Sequence, residues 1–199
     1  MKWVKQSIHY WCPDTKEHKF LGQNVTVAIL DTGISPHPDF KDRILSFRDF
    51  SSTTGSSEKV LFSFSHFSPL IDNSGHGTHV AGILAGSGLL SSGTYAGIAP
   101  FCNLIIGKVL DQNGNGSIKN VINGIQWIRD IYTQFHIRII NISVGTRPDL
   151  SIHQKLLLLN AVESLWDLGL VVVVSAGNYG PAPGSVTVPG SSPKVITVG

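Results

Sequence analysis

Short apolar runs alternate along this chain with longer stretches in which apolar residues recur every three or four positions. Residues 25–30 (VTVAIL) are β-branched and apolar without a polar break, which predicts a buried strand. Residues 103–110, 137–144 and 170–175 read as further strands, and residues 194–198 open one more. The run over 170–175 holds four consecutive valines, apolar on both sides, as in a parallel sheet covered on both faces. A polar, glycine-broken turn over residues 72–77 runs into small and apolar residues through Ala85, and predicts a helix with His76 in or just before its first turn. Gly75 and Gly77 leave the surroundings of that imidazole bare, so that another backbone or a substrate could come close. Ile118, Val121, Ile122, Ile125, Ile128 and Ile131 stand at helical spacing and predict an amphipathic helix over residues 117–135. Residues 152–168 predict another helix. Residues 36–40 and 86–95 read as loops, and residues 51–57, rich in Ser, Thr and Gly, as a surface excursion.

Strand and helix alternate, so the expected fold is α/β: a doubly wound, mostly parallel sheet with helices on both faces. Residues 1–24 are mixed and polar and read as an N-terminal arm, residues 25–199 as one domain without internal repeat.

Composition narrows the field. With 42% hydrophobic and 14% charged residues in 199, the chain can bury a sizeable core. A net charge of +2, from 15 basic and 13 acidic residues, points to neither nucleic acid nor an anionic membrane as partner. No apolar run approaches the ~18 residues of a membrane span. Residues 1–23 carry scattered charges without the apolar centre of a secretory signal, so a cytoplasmic location is expected over a secreted one. The two cysteines, Cys12 and Cys102, fit neither a disulfide framework nor zinc spacing, and read as small buried thiols.

Polar residues fall at comparable places in this pattern. Asp31 directly follows the first strand, Ser143-Val144-Gly145 ends the 137–144 strand, and Asn178 follows the four valines. All three would gather at the carboxyl edge of the sheet, where open α/β folds bind ligands, and the His76 helix must start nearby. An acid, an imidazole and an amide donor at one edge make most of a hydrolase site: the acid orients the imidazole, the imidazole moves protons, and the amide stabilises an oxyanion.

The same residues carry a family resemblance. Residues 27–34 (VAILDTGI) resemble the aspartate motif of the subtilisin-like serine proteases, the subtilases. Residues 73–82 (NSGHGTHVAG) resemble their histidine motif and residues 175–178 (SAGN) their oxyanion-asparagine motif. Residues 97–100, 108–110 and 141–145 resemble the family too, in the family's order. The resemblance implies that Asp31 is the orienting carboxylate, His76 the general base and acid, and Asn178 the oxyanion donor. It implies that Ser143, Val144 and Gly145 pair with an extended substrate as an added strand, with Gly114, Asn115 and Gly116 on the substrate's other side. An uncharged wall around Ala176, Gly177, Tyr179 and Thr187 favours a bulky apolar side chain in the main pocket. His79 is expected to be a buried packing residue of the helix.

The family's nucleophile, a serine in a Gly-Thr-Ser-x-Ala turn, has no counterpart in this sequence, nor does a Gly-x-Ser-x-Gly elbow. The resemblance therefore covers about the first two thirds of a catalytic domain. The chain alone is expected to be inactive and marginally stable, with an unfinished sheet edge and a further C-terminal segment as the partner that completes the fold. A non-catalytic pseudoenzyme or peptide-binding module is the alternative.

No cofactor is required by this chemistry. Asp39 stands where the family often has a structural calcium ligand, but residues 86–95 lack the asparagine-rich pattern that would complete that site. Residues 111–116 begin like an EF-hand loop, but Ile122 stands where its final Glu is required. His76 and His79 lack the H-E-x-x-H pattern of a catalytic zinc site, so no metal residue is assigned.

Overall fold

A computed structural model describes residues 2–8, 10, 20–51, 58–60, 72–146 and 149–199. Seven strands form one sheet: β1 (Thr26–Asp31), β2 (Ile44–Asp49), β3 (Glu58–Val60), β4 (Asn103–Lys108), β5 (Ile137–Ile142), β6 (Val171–Ser175) and β7 (Ile196–Val198). Their spatial order is β3-β2-β4-β1-β5-β6-β7. All neighbours are parallel except β2 and β3. The helices are α1 (Lys2–Ser7), α2 (His76–Ala85), α3 (Ile118–Ile131) and α4 (Ile152–Asp167).

β1 lies between β4 and β5, so the chain leaves it in both directions along the sheet. Its carboxyl end is therefore a topological switch point, where neighbouring connections part and leave a crevice. Alternation along the strand sends side chains to two cores. Val27 and Ile29 join Ala81 and Ala85 of α2 on one face. Ala28 and Leu30 join Val121, Ile125 and Ile128 of α3 on the other, continuous with Leu158, Val162 and Leu165 of α4. All six residues of β1 are buried, as an unbroken apolar run requires.

The caps explain where the longer helices begin. Ser117 Oγ accepts from Asn120 N at 3.1 Å, and Ser151 with Gln154 closes a reciprocal capping box.

The four-valine run departs from expectation. Val172 and Val174 are buried under α4, but Val171 is 39% exposed and Val173 only half-buried. α2 covers β1 rather than β6 and β7, so among the described residues no helix lies over that end of its face. Ile196 and Val198 of β7 are exposed as well, and β7 has one strand neighbour.

Two strands escaped the sequence reading. In β2 the buried positions Ile44, Ser46 and Phe47 break simple alternation, and a buried serine hides the pattern. β3 is a three-residue antiparallel edge. α1 was also not anticipated; Tyr10, just beyond it, donates its hydroxyl to Ile98 O at 2.8 Å. Residues 52–57 of the Ser-rich excursion, and Cys12, lie outside the described residues.

Cys102 is a buried free thiol. Burial pushes its pKa up to about 11, against a smaller opposing pull from Arg43. Because the thiolate is the reactive form, an alkylating reagent at mildly alkaline pH is expected to leave Cys102 unmodified in the folded chain and to label it in denaturant. Mass mapping of the modified peptide checks this.

Candidate active site

Asp31 ends β1 and is 0% exposed. The loop before α2 brings His76 over it, and Nδ1 lies 2.7 Å from Asp31 Oδ1. The same oxygen accepts Thr32 N at 2.7 Å. A carboxylate can only accept, so the shared proton belongs to Nδ1 and the neutral ring keeps its lone pair on Nε2. The imidazole side chain is 56% exposed, leaving its far edge open to the crevice. Among the described residues Asp31 Oδ2 has no hydrogen-bond partner.

Local sequence explains how the two groups meet. His76 is the first residue of α2, and its N-cap, Gly75, has φ of 85°, the left-handed region that favours glycine. Space around Gly75 is open. Close approach is instead the role of Gly77, where an added Cβ would collide with Gly33 O and crowd Gly33 N. α2 thus starts directly against the turn that follows Asp31. Gly77→Ala is expected to push the helix away, costing about 1–3 kcal/mol by overpacking. Urea unfolding would measure that loss, and the His76–Asp31 contact should be lost with it.

Three residues important to this arrangement went unnoticed in the sequence. Thr32, 1% exposed, donates Oγ1 to Asp72 Oδ1 at 2.8 Å and accepts Gly77 N at 2.9 Å. Lys108, at the end of β4, is buried and donates Nζ to Thr32 O at 2.5 Å and Leu110 O at 3.0 Å. Asp72 accepts at Oδ1 from Ser74 N and Gly75 N, and at Oδ2 from Thr78 N and Thr78 Oγ1. An aspartate shortly before a helix start is a recognisable capping signal, and would have pointed to Asp72.

Partial burial pushes the Asp72 carboxyl upward, but hydrogen bonds from Thr78, Gly75 and Thr32 outweigh it and hold the pKa at about 2, against an ordinary 3.8. A lowered folded-state pKa stabilises the fold above the ordinary value, and that stability is lost as pH falls through the lowered one. The wild-type melting temperature is therefore expected to fall between about pH 4 and pH 2 more steeply than that of Asp72→Asn. Thermal melts across that window check the sign.

A cleft of about 850 Å³ opens beside His76. Ser143, Val144 and Gly145 line it beyond the end of β5, and Gly114, Asn115 and Gly116 line it opposite. Asn178 and Tyr179 line it beyond β6. The 111–116 loop is tied by its own acid: Asp111 Oδ1 accepts Asn113 N at 2.8 Å and Asn115 N at 2.9 Å.

Ala176 and Gly177 do not line the cleft. Gly177 has its own Cβ position closed off by Thr187 Oγ1, Ala176 N donates to Val198 O at 2.7 Å, and Thr187 N to Ala176 O at 3.0 Å. Thr187 is buried. His79 is a second correction: it is exposed, because Gly77, Ala81 and Ala85 form the buried stripe of α2 and position 79 falls on the other side.

Asp39 sits beside Arg43. The guanidinium of Arg43 donates to Cys102 O at 2.9 Å, Ala85 O at 2.6 Å and Asp39 O. Asp39 Oδ2 accepts Gly88 N at 2.9 Å, closing the 86–95 loop onto the same arginine. Asp39 Oδ1 is buried and has no hydrogen-bond partner among the described residues. Among the described residues no group of three or more His, Cys, Asp or Glu could hold a metal.

Residues 22–199 match the model of the subtilase family. The chain belongs to that family. It is 43% identical over 183 residues to serine protease AprX of Bacillus subtilis (strain 168), covering 89% of this chain and 38% of that protein. It is 36% identical over 183 residues to the major intracellular serine protease of the same strain, covering 89% of this chain and 51% of the relative. Among solved subtilase-like structures it resembles sphericase, with TM-score 0.74 and 29% identity over 88% of this chain and 53% of the other. It also resembles the S41 psychrophilic protease, with TM-score 0.73 and 31% identity over the same shares. The chain thus spans only part of the length of these subtilases.

Proposed function

We propose that this chain is the acid- and imidazole-bearing part of a subtilase serine endopeptidase that cleaves extended polypeptides. The 2.7 Å contact between His76 Nδ1 and Asp31 Oδ1 carries the reading, because it leaves Nε2 bare and facing a peptide-sized cleft. In this reading Nε2 takes the proton of a serine hydroxyl as its oxygen bonds to the scissile carbonyl carbon. The carbonyl oxygen, now negative, accepts from the Asn178 side-chain amide. Nε2 then returns the proton to the departing amine as the C–N bond breaks. Loss of such an amide donor costs about 3–4 kcal/mol of transition-state stabilisation, a figure measured in subtilisin itself.

The substrate lies between the 143–145 and 114–116 segments, pairing with the first as an added strand. Its preferred side chain is bulky and apolar. Leu150 and Leu158 in the cleft lining support that preference.

The serine comes from polypeptide outside residues 1–199, as a further C-terminal segment that completes the fold. Support comes from the lack of a Gly-Thr-Ser-x-Ala turn in residues 1–199 and from the exposed Val171, Ile196 and Val198 on one face of β6 and β7. Neither calcium nor another cofactor is part of the proposal; the Arg43 guanidinium beside Asp39 supports leaving a cation out. An intracellular setting is included, supported by the name of one Bacillus relative.

A serine-directed phosphonate probe tests this reading on two proteins: residues 1–199, and the full translated product of the gene. Labelling of one serine outside 1–199, abolished by His76→Ala, is the expected result. Labelling of a serine within 1–199, or none in either protein, would overturn it, and the second result would favour the peptide-binding alternative.

A further inference from the structure

His76 could in principle be held to Asp31 by their mutual hydrogen bond alone. The surroundings of Thr32 and Asp72 say otherwise. Every polar atom of Thr32 is engaged. Its N–H donates to Asp31 Oδ1 at 2.7 Å, its carbonyl accepts Lys108 Nζ, and its hydroxyl accepts Gly77 N while donating to Asp72. The carboxylate of Asp72 accepts from Gly75, just before His76, at Oδ1 and from Thr78, two residues after it, at Oδ2. The N-cap residue of α2 has no side chain with which to bond the first-turn N–H groups. Asp72 and Thr32 satisfy three of them instead, at Gly75, Gly77 and Thr78. Ser35 N donates to Thr78 Oγ1 at 2.9 Å and adds a second tie from the segment after β1.

These contacts close a ring. It runs from Asp31 Oδ1 through the Thr32 backbone and hydroxyl to Asp72, from Asp72 to the amides flanking His76, and from the imidazole back to Asp31 Oδ1. A negative charge at the positive end of α2 favours this arrangement electrostatically. The carboxylate's pKa of about 2 keeps it ionised through the neutral range.

We propose that Thr32 and Asp72 form a clamp that fixes the first turn of α2 on the end of β1 and so sets the His76 ring in register with Asp31. This deepens the reading of His76 as the proton-transfer group and rests on it. Both are positioning residues: Thr32 lines the cleft but has every polar atom engaged with the protein, and Asp72 is not part of the lining. Thr32 supplies the hydroxyl that the ring cannot close without, and Asp72 supplies two acceptor oxygens set to straddle one helical turn. An amide at position 72 keeps the shape but loses the second acceptor. A valine at position 32 keeps the shape but loses the hydroxyl, whereas a serine restores it.

The test is proton NMR of the hydrogen-bonded Nδ1 proton of His76 in the 199-residue chain. It is read beside the backbone amide spectrum of β4 and β5, which reports whether the sheet is folded. In Asp72→Asn and Thr32→Val the ring proton is expected to exchange with water roughly tenfold faster or more, or to vanish by exchange, while the sheet amides stay in place. Thr32→Ser is expected to keep the wild-type proton. A ring proton as slow in Thr32→Val and Asp72→Asn as in wild type would overturn the clamp. So would equal loss in Thr32→Ser and Thr32→Val. If Asp72→Asn fails to fold, the Thr32 pair decides alone. The readout needs no serine, so the clamp can fail while probe labelling succeeds, and the reverse.

Discussion

Replacing His76 with alanine in the serine-bearing protein is expected to lower peptide turnover by about 10⁶-fold, the loss measured for the same group in subtilisin. Three features make the expected loss that large. The serine hydroxyl is a poor nucleophile without a base, the ring is, among the described residues lining the cleft, the one whose bare nitrogen faces it while its other nitrogen is anchored, and the same ring must also protonate the leaving amine. Asp31→Ala is expected to cost less, about 3 × 10⁴-fold by the same comparison, since the imidazole remains but loses its orientation. Stability should hardly follow activity at position 76. That side chain is 56% exposed, and removing it should change unfolding free energy by no more than about 1 kcal/mol. Single-turnover kinetics on a peptide ester, paired with urea unfolding of the same variants, separates the two effects. Parallel loss of stability and turnover in His76→Ala would mean that the residue is structural.

Ile29→Ala should give the largest loss of stability, about 2–5 kcal/mol. Ile29 is 0% exposed in the middle of β1 and packs on the face that α2 covers. Truncation would leave a cavity beneath the helix that carries His76, and close packing there gives neighbours little room to collapse into it. A domain's net stability is only about 5–15 kcal/mol, so the denaturation midpoint should move far down. Ile152→Ala is the control. That residue is 77% exposed at the first position of α4, and its loss should change stability within about 0.5 kcal/mol.

Much of this architecture was legible because local pattern and tertiary role agree. β1, β4 and β5 are central strands, and their strongly apolar segments have no other stable place. α3 shows a single apolar stripe behind a serine cap. Asp31 and His76 could be located because strand ends in an alternating α/β chain converge on one edge. Legibility failed where a residue's role depends on a partner remote in sequence. Ser46 is buried in β2 although its chemistry suggests surface. Val171 is exposed although its strand runs through four valines, because among the described residues no helix lies over that end of its face. His79 and the Ala176–Gly177 pair were assigned through resemblance. The side of α2 that faces the sheet, and the packing of Gly177 against Thr187, decided their places instead. Thr32 and Lys108 look like ordinary strand-end residues until the Lys108 ammonium is seen bonded to the Thr32 carbonyl.

The central claim is that the Asp31 carboxylate fixes the proton of His76 on Nδ1 and leaves Nε2 free to accept another. Nitrogen-15 chemical shifts of the His76 ring, recorded for the neutral ring in wild type and in Asp31→Ala, measure this directly. The proton should reside on Nδ1 in wild type and redistribute toward Nε2 once the carboxylate is gone. A wild-type ring protonated on Nε2, or a tautomer indifferent to Asp31, would contradict the account.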